Sequence, residues 1–105
     1  MRRGEIYWCD FGEPEGHEPG LRRPALVVTP TALNRFGSPV VLPITRTARG
    51  YPTHVELDKT LPLTCYIQCE LIRAVAASRM GEHLATVPEP VLAHVTTVLR
   101  RILVL

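Results

Sequence analysis

The chain has 105 residues, 46% of them hydrophobic and 21% charged, with a formal net charge of +2. This is the balance of one globular domain, which excludes a disordered or low-complexity protein, and the charge is too small to mark a strongly basic nucleic-acid binder by itself. The cysteines, Cys9, Cys65 and Cys69, are odd in number and form neither a C-x-x-C pair nor a set with histidine at zinc-like spacing, so reduced thiols are expected and no disulfide framework, metal site or cofactor.

The N-terminus, Met1-Arg2-Arg3-Gly4-Glu5, leads to Asp10 and Glu13 rather than to an apolar run, so it does not read as a signal peptide. No stretch approaches the length of a membrane span, and a cytoplasmic protein of one domain, residues 1–105, is expected. Short β-rich runs follow: Glu5 to Phe11, Ala25 to Thr29, Val40 to Thr45, Thr53 to Leu57, Thr64 to Cys69 and Leu71 to Ala76. Their spacing predicts a compact antiparallel sheet or barrel. Between the first two lies a Gly- and Pro-rich stretch, residues 12–20, which reads as a loop long enough to carry function. Pro30 to Phe36 has room for one or two helical turns, and Pro43 predicts an edge or bulged strand because proline cannot donate to a ladder.

The C-terminal segment reads as a helix, with Val91, Leu92, Val95, Val98, Leu99, Ile102 and Leu103 on one stripe. Thr86 and Glu89 form a T-x-x-E start signal, Pro88 and Pro90 fall in the first turn, and Arg100 and Arg101 suit the negative end of the helix dipole. A small domain gains stability from a partner. The apolar end, Arg101 to Leu105, is therefore expected to be buried against the barrel or a second subunit.

Charge is unevenly spread: Asp10, Glu13, Glu15 and Glu18 gather early, whereas Thr45 to His54 carries Arg46 and Arg49 and no carboxylate. Pro24 biases Arg23 toward an extended backbone at a loop-to-strand junction, where a guanidinium either faces water or binds phosphate. Thr45 ends a strand at the start of the Arg-rich loop. His17, in the acidic loop, is of a type that exchanges protons near neutrality. Glu70 interrupts an apolar run, either as a strand-end residue facing water or as a site carboxylate with a raised pKa, and Gln68 should share its face. The acids are scattered and no Gly-rich phosphate cradle occurs, which weighs against metal catalysis and nucleotide binding.

In order, Arg3-Gly4-Glu5-Ile6-Tyr7-Trp8, Gly16-His17-Glu18, Arg23-Pro24-Ala25-Leu26-Val27-Val28, Asn34, Pro43-Ile44-Thr45, Gly50-Tyr51-Pro52 and Ile72-Arg73 resemble the MazF/PemK family across nearly the whole chain. The resemblance implies an SH3-like antiparallel β-barrel of the CcdB/MazF kind with a C-terminal α-helix. It also implies a homodimer with an RNA groove across its interface and inhibition by a MazE-like antitoxin. It places the family's catalytic Arg and Thr on Arg23 and Thr45, a proton-transfer or phosphate-contacting His on His17, and an acidic catalytic residue on Glu70. Gln68 departs from relatives that carry Arg there, and glutamine cannot serve as an acid.

The implied function is that of a toxin that cuts single-stranded RNA without a metal, by 2′-hydroxyl attack giving a 2′,3′-cyclic phosphate and a 5′-hydroxyl. Arg23 would stabilise the phosphoryl charge, Thr45 would position the phosphate, Glu70 or His17 would take the proton, and Glu18 would orient Arg23 or His17. Asn34, Arg46, Arg49, Tyr51 and Gln68 are candidate RNA contacts. Two other classes share the fold: a CcdB-like gyrase-inhibiting toxin and a non-catalytic SH3-like binding module.

Overall fold

The computed structural model describes residues 1–13, 16 and 20–105. Strands β1 (Glu5–Asp10), β2 (Arg22–Val27), β3 (Val40–Thr45), β4 (His54–Leu57), β5 (Cys65–Gln68), β6 (Arg73–Ala74) and β7 (Met80–Thr86) form one sheet, with helices α1 (Thr31–Asn34) and α2 (Glu89–Leu103). The order across the sheet is β4-β5-β3-β2-β1-β7, with β6 added to β3, and every pairing is antiparallel. β4 and β7 lie at the two ends of this path, so the sheet is open and the expected barrel is realised as an antiparallel sheet with a C-terminal helix.

The central strands are buried on both faces, which is why Ala25 to Val28 and Val40 to Ile44 read as unbroken apolar runs instead of alternating ones. On one face Ile6, Leu26, Leu42, Ile44, Val55 and Ile67 pack with Val95 and Val98 of α2. On the other face Cys9, Phe11, Ala25, Val27, Val41 and Val75 form a smaller cluster. Each such side chain contributes roughly 1.5–3 kcal/mol on leaving water, so α2 is held by its apolar stripe rather than by its termini. Among the described residues, no helix is long and apolar enough to cross a membrane.

Several expectations are corrected. Pro43 lies in the interior of the sheet, opposite Ala25, and is tolerated because β3's other side changes partner there, from β6 at Val41 to β5 at Ile44. The run from Leu71 to Ala76 yields only the two-residue β6 after a 3₁₀ turn at Cys69–Leu71. β7 went unforeseen because Met80-Gly81-Glu82-His83 lacks alternation, being a largely exposed edge strand. Thr86 closes β7 and does not cap α2, whose N-cap is Pro88 with no side-chain hydrogen bond. Nor does the chain's own sheet bury the C-terminal tail: Val104 is 88% and Leu105 87% exposed.

Gly4, at φ +94°, makes the close approach that seats the first strand. Its N–H donates to the Val27 carbonyl, its carbonyl accepts from the Val87 N–H, and a Cβ there would meet Leu92 at 3.3 Å.

A candidate cationic cleft

The register of β2 against β3 runs as far as Ala25 opposite Pro43, so Arg23 and Thr45, each two residues beyond that last pair, lie at the same end of the two strands. Residues remote in sequence thus meet where β2 begins and β3 ends. A cleft of about 640 Å³ opens there, with Arg23, Thr45, Arg22, Arg46, Trp8 and Leu63 in its wall and no Asp or Glu among its described lining residues. Arg22 and Arg23 leave opposite faces of β2, and both reach the cleft because it wraps around the strand's end.

Arg23 is half-buried, and its Nε–H donates to the Gly20 carbonyl at 3.2 Å, which fixes the guanidinium and leaves its Nη donors without a partner among the described residues. Thr45 is buried; its Oγ1 accepts from the Thr47 N–H at 3.2 Å, so its own O–H has a defined place from which to donate. Two donor groups facing one cationic space, with no carboxylate among its described lining residues, can hold a phosphodiester by charge-assisted hydrogen bonds. Arg46 is exposed at the rim.

A second cluster forms around Glu70. One carboxylate oxygen accepts from Thr53 Oγ1 at 3.0 Å and the other meets His54 Nε2 at 2.8 Å. The His54 side chain is only 3% exposed, its Nδ1 has no partner among the described residues, and Tyr51 lies edge-on to the ring at 5.0 Å. Burial pushes the Glu70 carboxyl up, but the hydrogen bonds from His54, its own backbone and Thr53, with the charge of His54, outweigh burial and hold it below the ordinary value of 4.5. The raised pKa entertained for Glu70 is therefore corrected: it is a partnered, readily ionised carboxylate. Its stabilising contribution is fully present above the ordinary carboxylate value and is lost as pH falls through the lowered folded one. Urea unfolding of wild type and Glu70→Gln should differ at about pH 6, and the gap should close as the pH falls from the ordinary carboxylate value through the lowered folded one. A gap unchanged across that range would mean that the Glu70 charge contributes nothing.

Glu70 and Gln68 are not in the wall of the cleft; Gln68 is buried, and its Oε1 has no partner among the described residues. Asn34 is also buried. Its Oδ1 accepts from Thr29 Oγ1 and its Nδ2 donates to the Met1 and Thr29 carbonyls, so it anchors α1 to the N-terminus. Arg49 and Tyr51 are exposed on the β3–β4 loop. His17 and Glu18 lie outside the described residues. Sequence reasoning missed Arg22 and Trp8 as cleft residues, although Arg23 beside Arg22 was singled out and Trp8 stands in the family match, and missed His54 as the partner of Glu70. Among the described residues, no three His, Cys, Asp or Glu side chains are grouped to hold a metal ion.

Comparison with known proteins gives a consistent result. Residues 2–103 match the model of the PemK-like, MazF-like toxin of type II toxin-antitoxin system. The chain is 37% identical to Endoribonuclease PemK of Escherichia coli, over 90% of this chain and 76% of that protein. It is 36% identical to Endoribonuclease MazF9 of Mycobacterium tuberculosis, over 95% and 93%. Among solved structures, MazF from Deinococcus radiodurans superposes with a TM-score of 0.91 at 36% identity, covering 100% of this chain and 97% of that one. A MazE-MazF structure from the same organism superposes at 0.86, with 36% identity and coverage of 100% and 96%.

Proposed function

The chain belongs to the PemK-like, MazF-like toxin family of type II toxin-antitoxin systems, and from that premise we propose that it is an endoribonuclease acting in the cytoplasm on single-stranded RNA, restrained by a MazE-like antitoxin. The observation that carries the reading is the meeting of Arg23 and Thr45 in one cleft lined by further arginines and, among its described residues, by no carboxylate. A phosphodiester suits that space. A gyrase-binding or purely structural role gives no reason for the pairing.

In the proposed reaction the RNA 2′-oxygen attacks the adjacent phosphorus, a new P–O2′ bond forms, and the P–O5′ bond breaks. The products are a 2′,3′-cyclic phosphate and a 5′-hydroxyl. The nucleophile belongs to the substrate, so this chemistry has no need of a metal to activate water. Arg23 stabilises the negative charge that grows on the non-bridging oxygens, and Thr45 O–H fixes the phosphate in line. His17 or Glu70 takes the 2′-hydroxyl proton, His17 returns a proton to the departing 5′-oxygen, and Glu18 orients Arg23 or His17. Of the two, His17 carries the proposal, because Glu70 lies outside the wall of the cleft with its carboxylate oxygens engaged by Thr53 and His54. Paired RNA is excluded because an A-form helix prevents the in-line geometry.

We assign the exposed tail, Leu103, Val104 and Leu105, to the interface of a homodimer, and the family's SH3-like barrel to this sheet, with Arg46, Arg49 and Tyr51 as further RNA contacts. Asn34 and Gln68, both buried, act through the fold around the groove. Incubating the purified protein with a long single-stranded RNA in excess EDTA tests the reading. Cleavage at a limited set of sites is expected. Intact RNA in EDTA and cleavage on adding magnesium would contradict it, and gyrase inhibition without RNA cleavage would establish the CcdB-like alternative.

A further inference from the structure

Trp8 and Arg22 do not enter the mechanism above, yet both stand in the wall of the same cleft. The Arg22 guanidinium lies over the Trp8 ring, 5.3 Å from its centroid. Arg22 is exposed, and among the described residues no carboxylate pairs with it: its cross-strand neighbour Asp10 instead accepts the Gly12 N–H through Oδ1, at 2.8 Å. Among the described residues, the π face of Trp8 is what meets the Arg22 guanidinium. Gly81 on β7 lies beside the pair: a Cβ there would stand 3.4 Å from Arg22 Nη2 and 3.5 Å from Trp8 Cβ, ordinary contact distances.

We propose that Trp8 and Arg22 form a stacking shelf for a nucleobase next to the scissile phosphate. This rests on the RNA-cleaving reading. Arg22 and Arg23 are consecutive and leave opposite faces of β2, so an RNA strand rounding the strand's end with its phosphate on Arg23 and Thr45 brings a neighbouring nucleotide to Trp8 and Arg22. A base offers the flat π surface that an indole and a guanidinium both accept, and every base has one, so the shelf adds affinity with little dependence on sequence. An acidic peptide would satisfy the arginines but would give the indole nothing flat to stack on.

Trp8 is the protein's single tryptophan, which makes the shelf directly observable. The probe is an oligonucleotide spanning a site that the wild-type protein cuts, with 2′-deoxyribose on the 5′ side of the scissile phosphate, so that it binds without reacting. Binding is followed by the anisotropy of a terminal dye and, in parallel, by Trp8 emission with unlabelled oligonucleotide. Emission should fall as binding saturates. Making one nucleotide flanking the scissile phosphate abasic should abolish that fall and weaken wild-type binding about tenfold or more. Trp8→Ala should bind the intact and abasic oligonucleotides equally, and Trp8→Phe should restore the difference. Arg22→Ala, at an exposed position, supplies the same comparison should Trp8→Ala not fold.

Saturable RNA binding and normal cutting with Trp8 emission and abasic penalties unchanged would overturn the shelf while leaving the nuclease intact. Emission that responds to oligoglutamate and not to RNA would overturn it in favour of a peptide site. If the protein neither binds nor cuts RNA, the nuclease reading and the shelf fall together.

Discussion

Arg23→Ala is expected to lower kcat for RNA cleavage by roughly 10²–10³-fold while moving KM much less, the signature of a group whose strongest interaction forms only as charge develops. The expectation follows from its setting. Arg23 is held at its Nε by the Gly20 carbonyl and faces a cleft with no carboxylate among its described lining residues to compete for its remaining donors. Its loss should change folding stability by less than about 1 kcal/mol, because the side chain joins neither apolar cluster. Thr45→Ala should have a comparable effect on kcat and cost about 1 kcal/mol of stability, since the hydroxyl also accepts the Thr47 N–H. Thr45→Ser, which keeps the oxygen, should recover most activity. Single-turnover kinetics on a short substrate, beside thermal melts, separates these effects. A folded Arg23→Ala protein that cuts at the wild-type rate would remove Arg23 from the site.

What could be read in advance depended on whether a residue's job is local. The apolar stripe of α2, the single turn after Pro30 and the strand from Val40 to Thr45 were legible because periodicity and turn chemistry act over a few residues. β7 was not: an exposed edge strand has no face whose burial would impose alternation, and only pairing with β1 makes it a strand. Thr86 shows the opposite error, a start signal overridden by that pairing. The alternatives left for Glu70 could not be decided from its neighbours in sequence, because its ionisation is set by Thr53 and His54, which the β4–β5 pairing brings alongside.

The site was legible in pieces. Arg23 and Thr45 came from family resemblance, and the pairing of β2 with β3 is the physical reason that both stand in one cleft. Arg22 carried no signal of its own in the sequence, and its stacking on Trp8 depends on β1 pairing with β2, which no local pattern encodes. Asn34 matched the family at a position where the fold uses every amide group of its side chain to anchor a turn.

The central claim is that RNA supplies its own nucleophile and the cleft supplies only charge and position. The most direct measurement compares two oligonucleotides of one cleavable sequence that differ in a single oxygen, the 2′-hydroxyl on the 5′ side of the scissile phosphate. Both should bind alike, since the phosphate and base contacts are unchanged. The all-ribose strand should be cut in EDTA, with mass spectrometry finding a 2′,3′-cyclic phosphate on the upstream fragment. The deoxy strand should remain whole under the same conditions. Cleavage of the deoxy strand at the ribose rate would mean that water or a side chain attacks phosphorus, and the roles given to Arg23, Thr45, His17 and Glu70 would have to be redrawn.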